Sequence, residues 1–238
     1  MTHNFSSLPQ LMIASWSSGS EATIFGGIEI NVTETQKYIQ KVREATGEKV
    51  TITHVTILAI AKAMEACPSM NGRLIFEYFF PHKSVDIGCL VALDDGKDLA
   101  NVKITDCNTK SLVEIAQALA PAAKKLREGK DEDFKKVSST LRAIPSFVMP
   151  FLATFTGFLA GAIGLDIPAM GVKPFPFGSA MVTSIGMLGL EGACVPFTPF
   201  ARVPALCCVG KISDKAVVED GKVVVRPMVS ISGTLDHR

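Results

Sequence analysis

A strand–turn–strand–helix series between residues 84 and 130 constrains the fold of this chain more than any other feature. "SVDIGCLVAL" is typical of a core strand, "DDGKD" of a turn, and "LANVKITDC" of a second strand. "SLVEIAQALAPAAKKLREGK" then predicts a long helix, with Ser111 and Glu114 in capping-box register and basic residues at its end. We expect Pro121 to bend or split this helix.

Strands and helices alternate through the rest of the chain as well. "ATIFGGIEINV" predicts a strand, and two helices are predicted to start at Thr33 and Thr53. "VVEDGKVVV" places a turn between two valine-rich runs, which indicates a hairpin. With 238 residues, the chain is long enough to bury a substantial core. We therefore expect one mixed α/β domain.

The segment from Ala143 to Leu165, "AIPSFVMPFLATFTGFLAGAIGL", carries no charged residue. A membrane span, an interfacial or partner-facing element, and an ordinary buried helix are three interpretations of it. Its prolines and glycines, and the lack of a flanking basic cluster, argue against a span. A buried helix is the leading interpretation, and membrane contact through residues 143–165 remains the less favoured alternative.

Composition excludes several partners and chemistries. Lys and Arg number 24 against 23 for Asp and Glu, so no global field favours nucleic acid. The six cysteines lack metal-type spacing, which indicates free thiols in a reducing compartment: the cytoplasm, or the mitochondrial matrix in a eukaryote. No dinucleotide, phosphate-loop or zinc motif is present, so we expect chemistry without a metal.

Two short stretches contain the candidate reactive side chains. "LDHR" presents His237 between Asp236 and Arg238, where a carboxylate and a guanidinium can position the imidazole and shift its pKa. "GSAMVTSIG" supplies the hydroxyls of Thr183 and Ser184 near glycine-rich backbone. Such hydroxyls can stabilise an oxyanion, although strands also use Thr and Ser for packing.

These stretches resemble the catalytic domain of the 2-oxoacid dehydrogenase acyltransferases, the dihydrolipoamide acyltransferase (E2) family. "VDIGCLVALDDGKDLANVKITDCNTKSLVEIAQALAPAAKKLREGK" follows the family's strand, turn, strand and long helix. "FGSAMVTSIGMLG" is similar to its G-T-F-T-[IL]-S-[NS]-[IL]-G strand, and "GTLDHR" to its S-x-D-H-R-x-x-D-G motif. The resemblance implies the fold of the coenzyme A-dependent acyltransferases, related to chloramphenicol acetyltransferase: a two-layer α/β structure with a mixed sheet flanked by helices.

The resemblance also implies a mechanism and an assembly. His237 is expected to be the general base that deprotonates a thiol, and Thr183 stands where the family's oxyanion-binding serine stands. Asp236, Arg238 and Ser184 are expected to support them. Coenzyme A is implied as a substrate, and a lipoyl group only if another protein supplies it. A homotrimer with active sites between subunits is implied, which can join larger cages and other 2-oxoacid dehydrogenase components.

The same comparison suggests a division of the chain. Residues 1–21 are expected to form an N-terminal extension and residues 22–238 the catalytic domain, with an apolar insertion at about 143–177 and without the family's final helix. The motif reaches Arg238 without the D-G that follows in the family. A catalytically silent trimeric scaffold is therefore the alternative to an acyltransferase.

Overall fold

A mixed β-sheet organises the chain, which the computed structural model describes over residues 23–75, 78–93 and 98–236. Six strands form this sheet in the order β1-β8-β7-β6-β4-β5, and β2 and β3 pair separately. The strands are β1 (Thr23–Asn31), β2 (Gly72–Ile75), β3 (Tyr78–Pro81), β4 (Ile87–Leu93), β5 (Asp98–Ile104), β6 (Ala180–Ser184), β7 (Ala205–Glu219) and β8 (Lys222–Asp236).

Parallel pairing is confined to the middle of the sheet. β4, β6 and β7 run parallel, while β5 pairs antiparallel with β4, and β8 lies antiparallel between β7 and β1. The predicted hairpin is confirmed as β7–β8, with Asp220 and Gly221 at φ values of 51° and 75° between the paired residues Glu219 and Lys222. Two consecutive positive φ angles give the tight turn that matches the strand twist. The predicted mixed α/β sheet is confirmed.

Five α-helices and one π-helical stretch are described. They are α1 (Thr33–Thr46), α2 (Ile52–Ala66), α3 (Leu112–Arg127), α4 (Glu132–Ala143), α5 (Met149–Thr156) and the π-helix Gly157–Ile163. The predicted cap of α3 is confirmed, because Glu114 N donates to Ser111 Oγ at 3.3 Å while the Glu114 carboxylate accepts from Ser111 N at 2.7 Å. α3 continues through Pro121, so the expected split does not occur. Pro121 is exposed, and the apolar face around it stays packed on the sheet.

The start of α2 depends on a buried histidine. Thr51 is its N-cap, and Thr51 N donates to His54 Nδ1 at 3.0 Å. His54 is only 7% exposed, and burial lowers the pKa of its imidazole. The neutral ring of His54 therefore completes the cap. The N-cap Thr51 lies two residues before Thr53, where the sequence predicted the start of the helix.

The main core lies between the sheet and the helices on one of its faces. Fully buried aliphatic side chains from α2, α3 and four strands meet there: Ile57, Ala61, Ile87, Ile115, Val182, Val209 and Val229. Burying each large aliphatic side chain contributes about 1.5–3 kcal/mol. We call this side of the sheet the helix face.

The opposite side, which we call the loop face, is covered by the segment that precedes β7. Met181 of β6 and Leu206 of β7 pack there against Ala201 and Val203. The sheet is therefore buried on both sides in its middle, as its parallel strands require.

The uncharged segment 143–165 is neither one buried helix nor a span. It divides into the end of α4, α5 and the π-helix, with Met149, Ala153 and Ala160 buried. Phe147 and Phe151, by contrast, are 83% and 72% exposed. The leading interpretation was therefore wrong for its aromatic residues. In the part of the chain that the structure describes, every helix is too short or too polar to cross a membrane.

Candidate functional site

Thr183 and Ser184 end β6, but they lie on opposite faces of the sheet. Side chains alternate along a strand, and Val182 is fully buried in the helix-face core. Ser184 therefore shares the helix face, whereas Thr183 shares the loop face with Met181. Both are half-buried. A ligand on the loop face would thus meet the hydroxyl of Thr183 and not that of Ser184.

A row of small polar side chains crosses the loop face at the level of Thr183. Thr183 pairs with Cys208 of β7, and Cys208 pairs with Ser232 of β8. Ser232 Oγ donates to the carbonyl of Ala193, and Thr234 Oγ1 donates to the carbonyl of Val195. The two hydroxyls thereby hold the segment around Ala193 and Val195 against the loop face of β8.

The strand register separates Thr183 from the motif at the end of β8. Thr183 lies level with Ser232, and Asp236 lies four residues farther along β8, which is about 13 Å at about 3.3 Å per residue. β6 and β8 are also separated by two strand spacings of about 4.8 Å, measured perpendicular to the strands. The two perpendicular offsets together place Thr183 and Asp236 about 16 Å apart. A single chain therefore does not bring Thr183 together with Asp236.

Asp236 is the last residue of the motif that the structure describes. Its backbone N donates to the carbonyl of Pro204 at 2.9 Å, and it pairs with Thr23 of β1. His237 and Arg238 lie outside the described residues. Asp236 therefore lies beside the segment that leads into β7.

The thiols next to Thr183 are poor nucleophiles. Cys208 is 1% exposed, and burial raises the pKa of its thiol. Burial likewise raises the pKa of Cys207, on the other face, to about 11. Both thiols stay protonated at neutral pH, and a protonated thiol attacks carbonyls poorly. The arrangement thus favours chemistry between two bound substrates over an acyl group carried on either cysteine.

The sequence did not identify Cys208, Ser232 or Thr234 as neighbours of Thr183. Alternation of small polar residues in "VSISGTL" indicated a strand, but many strands share that pattern. Their placement depends on the pairing register of three strands, and the alternation of residues within one strand does not specify that register.

The chain matches the family model described as "2-oxoacid dehydrogenases acyltransferase (catalytic domain)" over residues 8–147 and 175–238. The unmatched residues 148–174 contain α5 and the π-helix. The match therefore includes both the strand of Thr183 and the "DHR" motif, and it extends over more than half of the chain.

The sequence of one curated relative agrees with this match. The chain is 26% identical over 197 residues to the "dihydrolipoyllysine-residue acetyltransferase component of acetoin cleaving system" of Bacillus subtilis (strain 168), which covers 82% of this chain and 38% of that protein. The chain thus matches well under half the length of this relative.

Two solved structures show the fold. The cubic core of the pyruvate dehydrogenase multienzyme complex superposes with a TM-score of 0.68 at 20% identity, covering 100% of this chain and 83% of that one. A chloramphenicol acetyltransferase superposes with a TM-score of 0.52 at 11% identity, covering 98% and 87%. The predicted fold is therefore confirmed.

Proposed function

The chain belongs to the 2-oxoacid dehydrogenase acyltransferase family through its catalytic domain, and from this we propose that it transfers an acyl group between a thioester and a thiol. The thioester is acyl-coenzyme A or an acyl-lipoyl group carried by another protein. The match of both candidate stretches to the family supports this assignment.

In the proposed mechanism, His237 takes the proton from the acceptor thiol as general base. The thiolate attacks the thioester carbonyl, and the Thr183 hydroxyl donates a hydrogen bond to the resulting oxyanion. When the intermediate collapses, the carbon–sulfur bond to the leaving thiolate breaks and the proton passes from His237 to that thiolate. A thiol with a pKa of about 8.5 and an imidazole with one of about 6.5 are matched closely enough for this transfer. Asp236 and Arg238 would orient the imidazole, while Ser184 would support the end of β6 from the helix face.

One observation carries the proposal that the site forms between subunits. Thr183 and Asp236 of one chain are about 16 Å apart by strand register, whereas a base and an oxyanion donor must both contact the reacting group. We therefore propose that His237 of one subunit acts with Thr183 of its neighbour in a homotrimer.

Exposed apolar side chains offer surfaces for such an assembly. Ile24, Phe25 and Ile28 of β1 are 42%, 51% and 61% exposed. Val218 and Val223 face each other across the hairpin and are 72% and 73% exposed. Exposed large apolar side chains on an edge strand and at a hairpin tip offer apolar surface that subunit contacts can bury. Assembly of trimers into a cage, with other dehydrogenase components, is part of the same proposal.

Mixing two inactive variants tests the shared site. Thr183→Ala and His237→Ala homotrimers should each lose at least about a hundredfold in kcat for acyl transfer from acetyl-coenzyme A to dihydrolipoamide. Co-expression at equal levels should restore activity, because about a quarter of sites in randomly mixed closed rings receive both intact residues.

Light scattering should find three chains, or the same multiple of three as in the parent protein, in each variant, and Thr183→Ser should keep most of the activity because it keeps the hydroxyl. No recovery on mixing, despite exchanged subunits, would show that the site lies within one chain. Absence of transfer with every thioester tried would leave a trimeric scaffold as the function.

A further inference from the structure

The insertion between α4 and β6 builds an aromatic groove on the loop face. The groove has a volume of about 250 Å³ and is lined by Phe151, Thr154, Phe155, Phe158 and Arg202. All but Arg202 belong to residues 148–174, which the family model does not match. The groove is therefore built mainly from residues outside the part of the chain that matches the family model.

Close packing fixes the walls of the groove. Gly157 and Gly161 of the π-helix lie against Phe200 and Arg202, and the Phe200 ring packs edge-on against Phe177 at 5.6 Å. Arg202 has a positive φ of 51°, and its guanidinium lies over the Phe158 ring, 5.3 Å from the ring centroid. A bulky residue holds such a backbone conformation only where its surroundings impose it.

The end of the insertion is anchored separately on the edge strand β5. Asn101 Nδ2 donates to the carbonyl of Pro176 at 2.7 Å, and Lys103 Nζ donates to the carbonyl of Pro174 at 2.9 Å. On the other side, Arg73 Nε donates to the carbonyl of Ala162. The insertion is thus attached at several points and can hold the groove in one place.

The groove lies at the same end of the sheet as the "DHR" motif. Arg202 is two residues before Pro204, whose carbonyl accepts the hydrogen bond from Asp236 N. Two residues span at most about 7 Å. The Arg202 side of the groove and Asp236 are therefore neighbours in one chain.

We propose that this groove binds the apolar chain of an acyl thioester longer than acetyl, an assignment that rests on the proposed acyltransferase function. Phe151 and Phe155 stack with their ring centroids 6.1 Å apart and stay 72% and 50% exposed. An alkyl chain lying across the two rings would cover this surface. The volume is too small for a folded protein segment but suits a short hydrocarbon chain, and the groove lies near Asp236, which directly precedes the expected base in the sequence.

Acyl-chain dependence tests the assignment. We would measure kcat/KM for acetyl-, butyryl- and hexanoyl-coenzyme A, with dihydrolipoamide as acceptor, using the full chain. Each buried methylene is worth about a fourfold gain, so hexanoyl should exceed acetyl by at least about tenfold. Phe151→Ala/Phe155→Ala should reduce this ratio towards one, and Phe155→Trp should shift the preference to shorter chains.

Phe147→Ala is the matched control, because Phe147 is 83% exposed on the same insertion and does not line the groove. It should leave the chain-length ratio unchanged. A preference for acetyl in the parent protein, or the same ratio in the parent and the double variant, would overturn the assignment.

Calorimetry separates this proposal from the function on which it rests. Hexanoyl-coenzyme A should bind at least about tenfold tighter than coenzyme A to the parent protein, and the double variant should lose the difference. If no thioester reacts, the proposed function fails while this measurement still decides the groove. Sedimentation with phosphatidylcholine vesicles, weakened equally by Phe147→Ala and the double variant, would instead identify a lipid-binding surface and overturn the acyl assignment.

Discussion

Replacing Gly157 by alanine tests whether the π-helix packs as tightly on the segment before β7 as the groove requires. A Cβ at Gly157 would lie 2.7 Å from the carbonyl oxygen and 2.9 Å from the Cα of Phe200, both backbone atoms. A Cβ at Gly161, four residues later in the same π-helix, would meet its nearest atoms, in the Arg202 side chain and the Phe200 carbonyl, at 3.5 Å. The second distance is an ordinary van der Waals contact, and the first is a clash.

Both substitutions gain helix stability when alanine replaces glycine, and they differ in the steric cost of the added methyl group. Alanine stabilises a helix interior by about 0.5–1 kcal/mol relative to glycine, whereas overpacking against a fixed backbone costs about 1–3 kcal/mol. Gly161→Ala should therefore be neutral or stabilise the fold by about 0.5 kcal/mol, and Gly157→Ala should destabilise it by about 1–2 kcal/mol.

Thermal denaturation at one protein concentration measures the difference. About 2 kcal/mol corresponds to a Tm difference of about 4–8 °C for a domain of this size, with Gly161→Ala the more stable. Gly157→Ala should also weaken the preference for hexanoyl over acetyl, because it moves Phe200 and with it Arg202. Equal Tm values for the two variants, or a more stable Gly157→Ala, would refute the close packing that holds the walls of the groove.

Two further predictions concern the cap of α2 and the segment held by Ser232 and Thr234. Burial lowers the folded-state pKa of His54 below about 6.5, so the neutral imidazole stabilises the fold above that pH and its contribution is lost as the pH falls from 6.5 through the lowered pKa. The Tm of the parent protein should fall more steeply from pH 7 to pH 5 than that of His54→Gln, and parallel curves would contradict this assignment. Thr234→Val should cost about 1–3 kcal/mol in chemical denaturation, because the carbonyl of Val195 loses its buried donor, and it should expose the segment around Val195 to limited proteolysis. Resistance to protease equal to that of the parent would show that other contacts fix the segment.

Local sequence rules predicted the elements whose determinants are adjacent in the chain. The cap of α3 depends on Ser111 and Glu114, three residues apart, and the β7–β8 turn on Asp220 and Gly221. In both cases, a side chain or backbone preference acts within one turn of the chain. The structure confirms both.

Other features depend on tertiary contacts that no local pattern contains. Pro121 was expected to bend or split α3, and the split does not occur because the apolar face of the helix is held by the sheet. Thr183 and Ser184 are adjacent in sequence, yet the alternation of β6 directs them to opposite faces. The uncharged run in 143–165 gave no periodicity from which its exposed phenylalanines could be identified. The roles of His237, Thr183 and their supporting residues stay predictions until the variants are measured.

Because β1 pairs with β8, the first strand is synthesised long before its partner strand. β1 lies at one edge of the sheet, and its partners run from Asp236, opposite Thr23, to Met228, opposite Asn31. At about 5–20 residues per second, translation of the roughly 200 intervening residues takes about 10–40 s. Throughout that interval, β1 has emerged from the ribosome but lacks its partner strand. Its apolar side chains, Ile24, Phe25 and Ile28, then lie in an unpaired segment prone to aggregation. Nascent chains of this protein should accordingly depend on ribosome-associated chaperones for the first strand, and a premature stop before β8 should yield insoluble product.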